Sequence, residues 1–80
     1  MNLNEFELEF REKCKMESVI IKKFEFNPDK ELLEIELKYG FDSMPIPDKF
    51  EIDRIDFPDK YVIGTIQKKN FKEFIESFHV

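Results

Sequence analysis

The side chains that could support nucleophilic catalysis are few and far apart in the sequence. Cys14 is the single cysteine and His79 the single histidine, and Ser77 stands two residues before that histidine. A catalytic nucleophile needs a base in contact with it and a third group that orients the base. Ser77 and His79 would point to different sides of a helix, and Cys14 has no second histidine to activate it. We therefore expect a solvated His79, a buried Cys14 and no catalytic residue, so that the protein is not an enzyme.

The acidic side chains are numerous enough to form pairs without any chemical role. Asp and Glu together number 18, and the candidate pairs are Glu34 with Glu36 and Asp53 with Asp56. General acid–base catalysis would require one carboxyl of a pair to be buried, and no glycine-rich loop accompanies either pair. Two glycines cannot build a phosphate-binding loop, and one cysteine with one histidine cannot build a zinc site. We expect these pairs to be solvated, and we expect no metal and no cofactor.

One segment has the character of a protein-binding loop. Residues 40–49 contain two prolines two positions apart, which exclude a helix and discourage a central strand. Phe41, Met44 and Ile46 are the apolar side chains of this stiffened segment, and they either fold down over the core or stay exposed. Exposed apolar residues on a rigid loop lose little entropy on binding. Phe41, Met44 and Ile46 are therefore the predicted partner-binding residues.

A cluster of basic side chains supports an alternative. The chain carries a net charge of −5, which repels nucleic-acid phosphate unless a basic patch overrides it. The candidates for such a patch are five lysines: Lys22, Lys23, Lys68, Lys69 and Lys72. Together on one surface, they would make the protein a nucleic-acid-associated accessory domain. An ordinary solvated cluster is the competing interpretation.

The elements that must position these residues begin with an ambiguous segment. Over residues 4–15, Phe6, Phe10 and Cys14 fall on one helical face, and Asn4 with Glu7 forms a candidate capping box. Against a helix, Phe6, Leu8 and Phe10 alternate with glutamates as in a half-buried strand. We favour a helix, with Leu8 off its apolar face.

A β-hairpin is the clearest element that follows. Residues 19–26 are rich in β-branched and aromatic side chains, residues 27–30 read Asn-Pro-Asp-Lys, and residues 33–39 alternate strictly between apolar and charged. This pattern predicts two antiparallel strands with one dry and one wet face.

The second half of the chain predicts another hairpin and a helix. In residues 50–57 the apolar positions change parity between Ile52 and Ile55, which predicts a bulge or bend near residues 53–54. Residues 61–66 form a further strand, in which Gly64 indicates a bulge or a close backbone approach. Asn70 is a candidate cap for a helix that turns its phenylalanines toward the sheet.

The whole sequence therefore predicts one small α+β domain over residues 1–80. An antiparallel sheet of about four strands is covered on one face by a C-terminal amphipathic helix, with an N-terminal helix beside it. Ten phenylalanines and no tryptophan supply the core. The lone cysteine and the acidic N-terminal residues indicate a reducing, cytoplasmic setting, and no apolar run is long enough for a membrane helix.

These observations favour a function in protein binding. The hypothesis is a small cytoplasmic module that inhibits or modulates another protein, as antitoxins, immunity proteins and phage-encoded anti-defence inhibitors do. Either edge of an open sheet can also accept a partner strand or a second copy of the chain, which would make a homo-oligomer.

Overall fold

The computed structural model describes residues 1–39, 50, 52–55 and 59–77. The elements follow one another as α1 (Leu3–Met16), β1 (Ile20–Asn27), β2 (Leu32–Lys38), β3 (Ile52–Ile55), β4 (Tyr61–Gln67) and α2 (Phe71–Ser77). A single 3₁₀ turn, Lys68–Asn70, leads into α2. The four strands form one antiparallel sheet, so the predicted α+β fold class is confirmed.

Residues 3–16 form a helix because their apolar side chains recur at helical spacing and their start is capped. Phe6, Phe10 and Cys14 are all buried on one face, which settles the choice between helix and strand. The capping box lies two residues earlier than predicted. Asn2 is the cap: its Oδ1 accepts from the Glu5 backbone N–H at 2.8 Å, and its Nδ2 donates to Glu5 Oε1 at 3.0 Å.

The end of α1 is closed by backbone hydrogen bonds in a Schellman arrangement. The Val19 N–H donates to the Cys14 carbonyl at 2.7 Å, and the Ser18 N–H donates to the Lys15 carbonyl at 3.2 Å. Ser18 makes this reversal with a φ of 59°. The chain therefore reverses direction at Ser18 and enters β1 two residues later.

The turn between β1 and β2 has the geometry that its residues predict. Asn27 Oδ1 accepts from the backbone N–H groups of Asp29 and Lys30, at 3.0 and 3.2 Å. An asparagine in this position substitutes for a backbone carbonyl and fixes the turn. The register that follows, with Asn27 opposite Leu32, places Phe24 and Phe26 on the same face as the buried residues of β2.

The strand order in the sheet is β1-β2-β4-β3, so β1 and β3 are the edges. The predicted bulge at residues 53–54 is wrong: β3 pairs with β4 in unbroken register from Ile52 to Ile55. The change of parity needs no bulge, because the two isoleucines lie on opposite faces of a regular strand: Ile52 faces the core and Ile55 faces solvent. The one register shift found in the described strand pairs lies instead in β1, between Ile21 and Lys23.

Both helices cover the same face of the sheet. The Phe6 ring of α1 stacks on the Phe71 ring of α2 at 4.3 Å between centroids, and Phe50 meets Phe74 edge-on at 4.9 Å. Asn70 does not cap α2 as predicted, because it lies inside the 3₁₀ turn. Below the rings, the core is closed by the buried side chains of β2 and β4: Leu33, Ile35, Leu37, Val62 and Ile66. The other face of the sheet carries neither helix.

Candidate functional site

Among the residues with potential for nucleophilic chemistry, Cys14 is withheld from solvent. Cys14 lies near the C-terminal end of α1 and is 1% exposed. Burial raises the pKa of its thiol from 9.0 to about 12, and the positive charge of Arg11 acts in the opposite direction with a smaller effect. The thiol is therefore protonated near neutral pH and has no path to a substrate. Ser77 is half-buried in the last turn of α2, and His79 lies outside the described residues.

The candidate acidic pairs occupy the solvated side of the sheet where they are described. Glu34 and Glu36 lie on the face of β2 opposite its buried residues, and Asp53 is exposed on β3; Asp56 lies outside the described residues. Within the described ranges, no polar or charged side chain is buried. The same ranges contain no group of three or more His, Cys, Asp or Glu side chains placed to hold a metal ion.

The five candidate lysines are distributed over different parts of the surface. Lys23 lies on the uncovered face of the sheet, where its Nζ is 3.6 Å from Glu34 and 3.7 Å from Glu25. Lys72 lies on α2, over the opposite face, in a groove shared with Glu5 and Glu9 of α1. Lys68 and Lys69 line a shallow cleft at the turn end of the sheet with Lys30 and Glu31, and Lys22 is in the irregular part of β1. The structure thus separates Lys23 from Lys72 and gives both of them acidic neighbours.

The predicted partner-binding residues Phe41, Met44 and Ile46 lie outside the described residues. Their assignment to a binding loop stays a prediction. The described part of the chain offers a different apolar surface, which the sequence analysis did not identify.

That surface lies on the uncovered face of the sheet, at the end where β3 and β4 pair. Ile55 stands directly opposite Tyr61, and Ile63 is the next residue on the same face of β4. Ile55 is 44% exposed and Ile63 is 42% exposed. Directly opposed positions are about 5 Å apart and diagonally opposed positions about 7–8 Å, so these three residues are neighbours on one face and are called here the open-face patch.

The surroundings of the open-face patch are mixed in charge. Lys38 of β2 pairs with Tyr61, and Glu36 pairs with Ile63. Beyond Lys38 lies Ile20 of β1, which is 58% exposed at the far edge of the sheet and is separated from the patch by that lysine. An apolar centre with charged residues around it is the usual anatomy of a protein-binding surface.

A signal for the open-face patch is present in the sequence. In β4, Val62 and Ile66 have the parity of the core, and Ile63 has the other parity, as do Ile20 in β1 and Ile55 in β3. Taken singly, each of these isoleucines is typical of a strand-forming run or indicates a bulge. The alignment of Ile55 with Tyr61 and Ile63 depends on the register of β3 against β4, and the position of Ile20 depends on the register shift in β1; local spacing reveals neither.

Neither a membrane-spanning helix in the described part of the chain nor a similarity to known proteins adds a constraint on the site. Among the described residues, no helix has the length and apolar character needed to cross a membrane. The sequence matches no family model and no curated protein, and no solved structure matches the chain.

Proposed function

We propose that this protein is a small non-catalytic module that binds another protein through the open-face patch and thereby alters or blocks that protein's activity. The observation that carries the proposal is the exposure of Ile55 and Ile63 together on a sheet face that neither helix covers. Single exposed apolar residues are common, but a contiguous cluster on a rigid sheet loses little entropy when it is buried by a partner.

The charge of the molecule specifies the chemistry of the partner. A chain with a net charge of −5 attracts a basic surface and repels an acidic one. The partner we propose is therefore a protein of net positive charge that presents apolar side chains to the patch. Antitoxins, immunity proteins and phage-encoded anti-defence inhibitors act by such occlusion and need no catalytic residue, so they are the class to which we assign the protein. Phe41, Met44 and Ile46 remain predicted partner-binding residues.

A site-specific photo-cross-link tests the contact directly. One form of the protein carries a benzophenone side chain in place of Ile63, and a control form carries it in place of Leu8, which is 71% exposed on α1. In lysate of the source cell, we expect the probe at position 63 to capture a basic protein that the probe at position 8 does not. Adding Ile55→Asp to the first form should abolish the capture and lower the thermal midpoint by only about 2–6 °C, because Ile55 is a half-exposed residue of an edge strand.

Two results would overturn the proposal. One is capture of the same proteins from both positions, which would indicate non-specific adhesion of exposed apolar groups. The other is capture from position 63 that survives Ile55→Asp, since the cluster would then not be the contact.

A further inference from the structure

The outer edge of β1 is a second surface able to bind a strand. Within the described part of the chain, β1 pairs with β2 alone, and its eight residues make it the longest strand of the sheet. Alternate residues of an edge strand direct their N–H and C=O groups away from the sheet. Such groups template the addition of another strand unless the edge is protected.

The side chains of β1 show that the core stops short at this edge. Phe24 and Phe26 point to the face that the helices cover, yet both are only half-buried. The Phe24 ring packs against Phe6 and Phe10 on its inner side, at 6.4 and 6.1 Å, and Arg11 lies over it at 5.3 Å. A chain placed against β1 would complete the burial of these rings.

The charges of β1 indicate that the strand added at this edge belongs to a second copy of the same chain. Lys23 and Glu25 flank Phe24 on the uncovered face of the sheet. In an antiparallel pair centred on Phe24, each Lys23 stands opposite the Glu25 of the other copy. Opposite charges at directly opposed positions stabilise a strand pair, and like charges destabilise it. The order Lys-Phe-Glu is therefore complementary to itself in this one register.

We infer that two copies of this chain associate through β1, antiparallel and in register at Phe24, to form one continuous eight-stranded sheet. The register shift at Lys22 limits the regular part of the ladder to the residues that follow it. On the covered face, the twofold axis brings together the two α1 helices by the side that carries Glu7 and Arg11. Those residues already form an ion pair at 2.9 Å within one copy, and antiparallel helices can exchange its partners.

A charge-swap experiment tests both the association and its register. Glu25→Lys places two lysines in β1, and Lys23→Glu places two glutamates there. Each variant alone should associate about tenfold or more weakly than the unmodified chain in sedimentation equilibrium across micromolar to millimolar concentrations, because both cross-strand pairs become like-charged. An equimolar mixture of the two variants should form a heterodimer, because every lysine then faces a glutamate.

The variants are expected to fold as monomers. Glu25 stands opposite Glu34 within the sheet, so Glu25→Lys removes a like-charge pair from the monomer. Lys23→Glu loses the exposed ion pairs with Glu25 and Glu34 and faces Glu36, so it should be the less stable variant. Circular dichroism spectra of both variants at low concentration provide the folding control. Physiological salt is the appropriate medium, because it screens the net charge of each copy beyond about 8 Å.

Three results would overturn the inference: an unmodified chain that stays monomeric at millimolar concentration, single variants that associate as well as the unmodified chain, or a mixture that forms no heterodimer. None of these results bears on the open-face patch, whose residues are not in β1.

Discussion

Gly64 lies in β4 directly opposite Ile52 of β3, and the two strands approach closely there. A Cβ atom built on Gly64 would be 2.9 Å from Ile52 Cγ1 and 3.2 Å from Ile52 Cα. These neighbours belong to the backbone and to the first branch of the side chain, so they cannot rotate away. Gly64 is therefore required by space, on the covered face of the sheet between Val62 and Ile66.

Replacing this glycine should weaken the pairing of β3. We expect Gly64→Ala to lower the free energy of unfolding by about 1–3 kcal/mol, the usual cost of overpacking, as measured by urea denaturation. Ile52→Ala removes the nearest colliding atom. The double variant Gly64→Ala with Ile52→Ala should therefore lose less unfolding free energy than the sum of the losses in the two single variants. Strictly additive effects would show that Ile52 Cγ1 is not the obstacle.

At the scale of elements, the junction between α1 and β1 carries a local strain. Ser18 holds a left-handed φ of 59°, in the position where most helices that end this way have glycine. A side chain in this conformation costs about 1–2 kcal/mol. The hydrogen bonds around Ser18 and the burial of Val19 and Cys14 hold the strained geometry in place.

Relieving that strain should stabilise the protein. We expect Ser18→Gly to raise the free energy of unfolding by about 0.5–1 kcal/mol, because the lost strain exceeds the added entropy of the unfolded chain. Ser18→Ala is the matched control: it keeps the Cβ atom and should give no gain. Equal stabilisation by both substitutions would show that the serine hydroxyl, not the backbone angle, is unfavourable.

The sequence predicts elements well where one periodicity dominates. It predicts them poorly where the structure depends on the pairing of one strand with another. The face of α1 and the turn at Asn27 follow from local spacing and turn chemistry, and both are confirmed. The position of the register shift could not be predicted, because a shift depends on the partner strand. The open-face patch was missed for the same reason: Ile55 and Ile63 lie on adjacent strands but belong to different elements of the sequence.

At the scale of the whole molecule, one aromatic cluster joins the elements into a single unit. Phe6 of α1 contacts Phe71 and Phe74 of α2 and also Phe24 of β1. Neither helix therefore has a buried face that is independent of the other. Loss of either helix should expose the core of the sheet, so we expect the molecule to unfold in one step.

This cooperativity can be measured with a mild substitution. We expect Phe6→Leu to lower the free energy of unfolding by about 1 kcal/mol, because the shape but not the polarity of the site changes. The midpoint from far-ultraviolet circular dichroism, dominated by the helices, should fall together with the midpoint from tyrosine fluorescence. The chain has no tryptophan, and Tyr39 and Tyr61 report on the sheet. Two separated midpoints would show that α1 melts before the sheet.

The contact between Phe6 and Phe71 has a consequence for synthesis on the ribosome. Phe6 leaves the exit tunnel before any strand exists, whereas the ring that stacks on it belongs to the element made after β4. Until α2 emerges, the nascent chain must present the apolar side of α1 and one side of the sheet to the surrounding medium. Chaperones and other nascent chains therefore have access to these surfaces until α2 has emerged, because the fold closes only once α2 is free.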